Sequence, residues 1–181
     1  WSKRLMGQNI SYPEMNNLAS NIEIGSKGLR ILPFGNGAER MLNNKIVGAH
    51  LLNIDFNQHT NAHIFRAVQE GISFAFRYGL DIMRENGLHP SIIRAGKSNM
   101  FLSELFQKAF VGATNVPVEL YENDGSVGAA LGAGIGIQHF KTADEAFSNA
   151  IALTTIEPEN TKEYNEVYLE WKELLNQKLN Y

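Results

Sequence analysis

Five consecutive residues, Ala95-Gly96-Lys97-Ser98-Asn99, form the stretch best suited to hold an anionic ligand. A short β-favouring run over 91–93 leads into them, and Leu102, Leu105, Phe106, Ala109 and Phe110 then recur at helical spacing. Ser98 is placed to cap that helix. A turn at the carboxyl end of a strand, opening into a helix, presents free backbone N–H groups and the positive end of a dipole. Open α/β sheets bind anionic ligands there, nucleotides above all. Gly96-Lys97-Ser98 also invites comparison with the phosphate loop Gly, four residues, Gly-Lys-Ser/Thr. That pattern needs a glycine at 91, where Ser91 stands, and Ile92 and Ile93 continue a strand instead of wrapping phosphate. The competing reading is a strand-to-helix connection with no ligand, and composition alone does not separate the two.

Other residues with chemical potential have plainer readings. His59 and His63 lie four apart and share a helix face, but no third metal ligand lies within sequence range, so a solvated or hydrogen-bonded role is expected. Arg66 and Glu70 are also four apart and can pair as structural support. Gly35 and Gly37 resemble part of a dinucleotide fingerprint, yet the third glycine and the following helix are missing, which leaves a tight turn. Gly128, Gly132 and Gly136 recur every four residues and would give a helix a smooth face, suited to close approach of another backbone or a flat ligand.

The elements that must position these residues alternate between the two secondary-structure periods. A helix is expected over 11–23, with Ser11 and Glu14 as a capping box and Pro13 in its first turn. A turn at 25–28 leads to a strand over 29–32, stopped by Pro33. One or two short strands fall within 46–54. The proline-free run 60–86 carries Ile64, Val68, Ile72, Phe76, Leu80 and Met83 at helical spacing and predicts a long, largely buried helix ended by Gly87. After the central turn come a second strand over 117–120, a turn at 122–125 and the glycine-rich helix. A short helix over 143–150, a linker over 154–158 and a terminal helix over 161–178 complete the chain. The last is capped by Asn160 and Glu163 and striped by Tyr164, Val167, Tyr168, Trp171, Leu174 and Leu175.

Bulk properties narrow the function. At 181 residues the chain can bury one good core. A formal charge of −3, with no basic stripe, argues against a nucleic-acid partner. The absence of cysteine excludes disulfides and thiolate metal sites and fits a reducing, cytoplasmic setting. No apolar run has membrane-spanning length, so no membrane partner is expected. The chain opens on Trp1, not methionine, and reads as a fragment of a longer protein.

Four phrases in order carry a family resemblance over nearly the whole chain. Leu32-Pro33-Phe34 with Gly37-Ala38-Glu39-Arg40 resembles a Leu-Pro-Tyr, Gly-Glu-Arg segment. Residues 53–60 leading into 63–71 resemble a second signature region. Residues 93–101 stand where a Gly-Gly-Gly-Ala turn occurs, and Ser126-Val-Gly-Ala-Ala-Leu-Gly132 matches a Gly-Ala-Ala helix. Together they resemble the C-terminal domain of the FGGY carbohydrate kinases, with wording most similar to the xylulose kinases. The resemblance implies a ribonuclease-H-like, actin-like α/β domain with a mixed sheet flanked by helices, one of two lobes with ATP in the cleft between them. It maps nucleotide contacts onto Ala95 and Gly96, with Asn99 matching a nucleotide-contacting asparagine and Lys97 and Ser98 lying between. Two departures stand out: Arg94-Ala95 replaces a usual glycine pair, and Asn53 replaces a usual glycine.

In such kinases a carboxylate base takes the proton of a sugar hydroxyl that attacks the γ-phosphorus of ATP, with Mg2+ and backbone donors stabilising the transferred group. The resemblance places that base, the sugar pocket and much of the metal site in an N-terminal lobe outside this chain. None of Asp55, Asp81, Asp124 or Asp144 matches it, so no catalytic residue is expected here. The implied reaction is phosphorylation of a pentulose, D-xylulose to D-xylulose 5-phosphate, with no activity from this lobe alone. An exposed apolar patch is expected where the other lobe packs, with self-association into a homo-oligomer as a consequence. The alternative is a catalytically inert, actin-like α/β binding or regulatory module.

Overall fold

The structure, a computed structural model, describes residues 2–6, 9–122, 125–148 and 151–180. Its centre is the long helix α3, Asn61–Glu85, which packs on the first strand, β1 (Arg30–Phe34), on one side and on α4 (Glu104–Thr114) on another. Preceding it are α1 (Ser2–Met6), α2 (Tyr12–Ser20) and β2 (Gly48–Leu52), which pairs antiparallel with β1. A second sheet has the order β3-β4-β5, from Ile93–Gly96, Val118–Tyr121 and Ala152–Ile156. β3 and β4 run parallel, and β5 joins β4 antiparallel, so this sheet is mixed. The remaining helices are α5 (Ser126–Gly136), α6 (Ala143–Ala146) and α7 (Thr161–Leu179).

The spacing read over 60–86 yields α3 because its apolar residues form one broad stripe and nothing in the run breaks it. Thr60 and His63 form a capping box at its start: the His63 side chain accepts from the Thr60 N–H, and the Thr60 side chain accepts from the His63 backbone. Gly71 lets α3 lie directly on β1, since a methyl group there would collide with the Ile31 carbonyl oxygen. Gly112 does the same for α4 against the Tyr164 ring. The main core joins Leu32 and Phe34 of β1, Phe74 of α3, Ala109 and Ala113 of α4, and Tyr164, Tyr168, Trp171 and Leu175 of α7. Fully burying each large apolar side chain of this set contributes about 1.5–3 kcal/mol.

Polar groups tie the same elements together. Arg66 and Glu70 pair at 2.7 Å as expected, and both are almost completely buried. Glu70 also accepts from the Gly25 N–H at 3.1 Å, while Arg66 reaches the Ile22 carbonyl and Tyr164. Burial pushes the Glu70 carboxyl above its ordinary value, against the pull of Arg66 and the Gly25 amide. This pair holds an unusual turn. Gly25, Ser26, Lys27 and Gly28 all have positive φ, at 82°, 47°, 52° and 87°. Left-handed backbone costs the two non-glycine residues about 1–2 kcal/mol each. Side chains from elsewhere fix it: Glu70 at one end, Asn53 on the Gly28 carbonyl and His59 on the Lys27 carbonyl.

Several sequence expectations need correction. Pro33 does not stop β1, which runs on to Phe34; in a two-stranded sheet a proline can face the unpaired side. The expected linker over 154–158 is largely strand β5. Asn160 does not cap α7 through its side chain but takes a left-handed φ of 52° there. The helix expected over 143–150 is shorter, and Asp124 and residues 149–150 lie outside the described residues. The glycine-rich helix forms as read, but none of its residues is buried, and Gly128, Gly132 and Gly136 face open space. Val127 in α5, Ile137 just after it, and Ile151 and Leu153 at β5 are exposed.

Candidate functional site

The central turn differs from its sequence reading in a way that moves the site. Ala95 and Gly96 are not in the turn: they are the last residues of β3, opposite Leu120 and Tyr121. The bend proper is Lys97-Ser98, and its amides are spent internally, Lys97 N–H on the Tyr121 carbonyl and Ser98 N–H on the Gly96 carbonyl, each at 2.8 Å. A single 3-10 turn, Asn99–Leu102, follows, so Ser98 caps no α-helix. That role passes to Ser103, whose hydroxyl accepts from the Phe106 N–H at the start of α4. Two serines five apart each precede an apolar run. The left-handed Asn99, at φ 49°, makes the first run a tight turn and leaves the helix to the second. Asn99 and Met100 sit at the open start of the 3-10 turn, ahead of its first bond from Phe101 N–H to the Ser98 carbonyl.

The consequence is a pocket beside the turn instead of a nest within it. A cavity of about 470 Å³ is lined by Ser2 of α1, Tyr12, Met15 and Asn16 of α2, Phe65, Val68 and Gln69 of α3, and Asn99, Met100, Leu102 and Ser103 at the turn. Its walls are mostly apolar, and its polar groups are the carboxamides of Asn16, Gln69 and Asn99 and the hydroxyls of Ser2, Tyr12 and Ser103, with no carboxylate among the lining residues. Such a volume, apolar with a few convergent polar groups, suits a small planar ligand. Of the five residues picked out in the sequence, Asn99 lines this pocket. Ala95 instead lines a second, more open apolar groove of about 610 Å³, with Met41, Phe76, Met83 and Ile93. Gly96, Lys97 and Ser98 line neither and serve to shape the bend.

Arg94 does not obstruct the pocket. Its guanidinium pairs with Glu119 on the neighbouring strand at 3.2 Å, and Tyr121 donates to the same carboxylate at 2.6 Å. The Tyr121 hydroxyl and then Arg94 hold the Glu119 carboxyl below its ordinary value. Ala95 sits in regular strand, where a Cβ causes no strain. Asn53 takes φ 59°, a conformation that asparagine tolerates better than most residues and that explains its standing in for glycine.

The two histidines are structural. His59 accepts from the Asp55 N–H and donates towards the Lys27 carbonyl. His63 caps α3, with the two rings 5.5 Å apart. Among the described residues no group of three or more acidic or histidine side chains is placed to hold a metal. No helix there is long and apolar enough to cross a membrane.

Sequence reasoning missed Asn16, Phe65, Gln69, Met100 and Ser103 as pocket residues. Asn16 and Gln69 are 53 residues apart and meet only because α2 packs on α3, a contact that no local pattern announces.

Comparison with known proteins agrees with this architecture. The chain matches no protein-family model. It is 29% identical over 185 residues to a xylulose kinase of Staphylococcus epidermidis, covering 98% of this chain and 36% of that protein. A 94-residue stretch, 51% of the chain, is 42% identical to 19% of a xylulose kinase of Haemophilus influenzae. Among solved structures, ligand-bound xylulose kinase from Lactobacillus acidophilus superposes with a TM-score of 0.84 at 19% identity over 98% of this chain and 36% of that one. Xylulose kinase from Rhodospirillum rubrum gives 0.82 at 22% identity over the same shares. Plasmodium falciparum glycerol kinase with ADP gives 0.73 at 20% identity over 93% of this chain and 34% of that one. The fold is that of the actin-like, ribonuclease-H-like sugar kinases. The chain spans about a third of the length of the relatives it matches end to end.

Proposed function

We propose that this chain, similar over nearly its whole length to xylulose kinases, has a share in the ATP-dependent phosphorylation of a pentulose as an FGGY-type carbohydrate kinase, D-xylulose being the substrate favoured. The observation that supports it is the pocket at the Asn99 turn, which sets apolar walls from α2 and α3 against the one nucleotide-contact candidate that is both exposed to a cavity and polar. This lobe holds the adenine end of ATP there. The bound nucleotide supplies the transferable phosphoryl group; the residues here grip its base, orient it and exclude water from one side.

The catalytic base and the sugar pocket belong to the other lobe, and α5 with its exposed apolar face is the surface that lobe covers. The pocket residues do not fit Mg2+: none carries a carboxylate, and hard cations take oxygen ligands, carboxylates foremost. The chain by itself therefore binds nucleotide without transferring phosphate. The setting is cytoplasmic, in keeping with a cysteine-free chain.

Calorimetry with ATP tests this reading. Because Asn99 has positive φ, alanine there would add backbone strain to the loss of the side chain, so Asn99→Gly is the cleaner variant. Saturable binding by the wild type, weakened in Asn99→Gly, is expected. No heat at millimolar nucleotide, with the fold intact by circular dichroism, would refute the nucleotide site and favour an inert module of the same fold.

A further inference from the structure

The pocket contains a row of three polar side chains whose hydrogen-bond directions are set from one end. Ser103 Oγ accepts the Phe106 N–H as the α4 cap, at 3.3 Å. Its own proton then goes to Gln69 Oε1, at 2.7 Å. That choice turns the Gln69 carboxamide so that Nε2 donates to Asn16 Oδ1, at 3.2 Å. Asn16 is left to face the cavity with Nδ2, a donor. Turning Gln69 over would give Ser103 Oγ a second donor and strand the hydroxyl proton at a residue only 6% exposed. An unsatisfied buried donor is disfavoured by enough to hold one orientation.

We infer that Asn16 is a base-contact residue: its carboxamide nitrogen donates to an acceptor ring nitrogen of the purine, and Gln69 and Ser103 are positioning residues that fix this polarity. The inference rests on the pocket being the nucleotide-base site proposed above. Adenine suits a donor, since its ring nitrogens N1, N3 and N7 are all acceptors. Guanine keeps an acceptor at N7 but has a proton on N1, so only a contact at N1 would tell the two bases apart. Asn16 sits in the middle of α2, partly exposed, so its side chain can be changed without disturbing the core.

The test uses the full 181-residue chain and calorimetry with ATP, its 1-, 3- and 7-deaza analogues, and purine riboside triphosphate, which lacks the exocyclic amine. One deaza analogue should bind the wild type on the order of tenfold more weakly than ATP, a single hydrogen bond's worth, while purine riboside triphosphate binds as ATP does. Asn16→Ala should lose the same factor with ATP and nothing further with that analogue. Ser103→Ala, which frees Gln69 to turn over, should shrink the analogue penalty, and Ser103→Thr should restore it. If Asn16→Ala binds ATP unchanged, or if the loss follows the exocyclic amine, or if no deaza analogue is penalised, the inference is wrong while the base pocket stands. If the wild type binds no ATP at all, the proposed function falls and this inference with it.

Discussion

Replacing His63 by glutamine isolates one proton's contribution to stability. His63 is 6% exposed, and its Nδ1 accepts the Thr60 N–H at 3.2 Å and lies 3.0 Å from the Thr60 hydroxyl. An acceptor at Nδ1 requires the neutral ring. Protonation would put a donor where the cap needs an acceptor, removing about 1 kcal/mol of capping, and would set a positive charge at the helix start, costing about 0.3–1 kcal/mol more. Burial disfavours the charged ring and lowers the His63 pKa below 6.5; repulsion from His59 and Lys27 adds to this, and Glu23 opposes it. Because the folded value lies below the unfolded one, the unfolded chain takes up the proton first. The contribution of His63 is complete above about pH 6.5 and is lost as pH falls through the folded value, with a slope of at most about 1.4 kcal/mol per pH unit. Glutamine keeps the capping-box acceptor and does not titrate. Lowering the pH from about 7.5 to about 5.5 in urea unfolding should therefore cost the wild type more stability than His63→Gln, by at most about 1.4 kcal/mol. Parallel losses in the two proteins would refute the argument, since the other four histidines are common to both.

Gly112→Ala should destabilise the chain by about 1–3 kcal/mol, because the added methyl meets the Tyr164 ring and lies 2.8 Å from the Glu159 carbonyl oxygen; denaturant midpoints measure it, and Gly128→Ala, which faces open space, is the control. Asp81 accepts from Tyr168, Arg77 and Arg84. Burial alone would raise its carboxyl, but those bonds together hold it below 3.8. Its stabilisation is present above about pH 4 and fades as pH falls through the lowered folded value, so Asp81→Asn should be less stable at neutral pH and show a flatter acid limb in thermal melts.

How far the sequence could be read depended on whether a feature was local. Helix α3 was legible because a 3.6-residue stripe, a threonine start and a glycine stop all lie within one window. The Arg66–Glu70 pair followed from helical geometry alone. Ser98 was mistaken for Ser103 because spacing does not encode a single left-handed residue between two candidate caps. Strand β5 was read as linker because it pairs with β4 alone and lies largely exposed, so it shows no alternation of apolar and polar residues. The pocket itself was invisible for a different reason: its walls come from four separate segments, and the distance between Asn16 and Gln69 is set by how two helices cross, which belongs to packing and not to pattern.

The indole of Trp171 donates to the Ile31 carbonyl, 140 residues earlier in the chain, and Arg30 meets Glu170 across the same span. Helix α7 thus closes over strand β1 like a clasp. A polypeptide that has emerged only as far as β5 lacks the Tyr164, Tyr168, Trp171 and Leu175 side chains that complete the core around Leu32, Phe34 and Phe74. Completion of this core consequently waits for α7, however much of the fold has already formed.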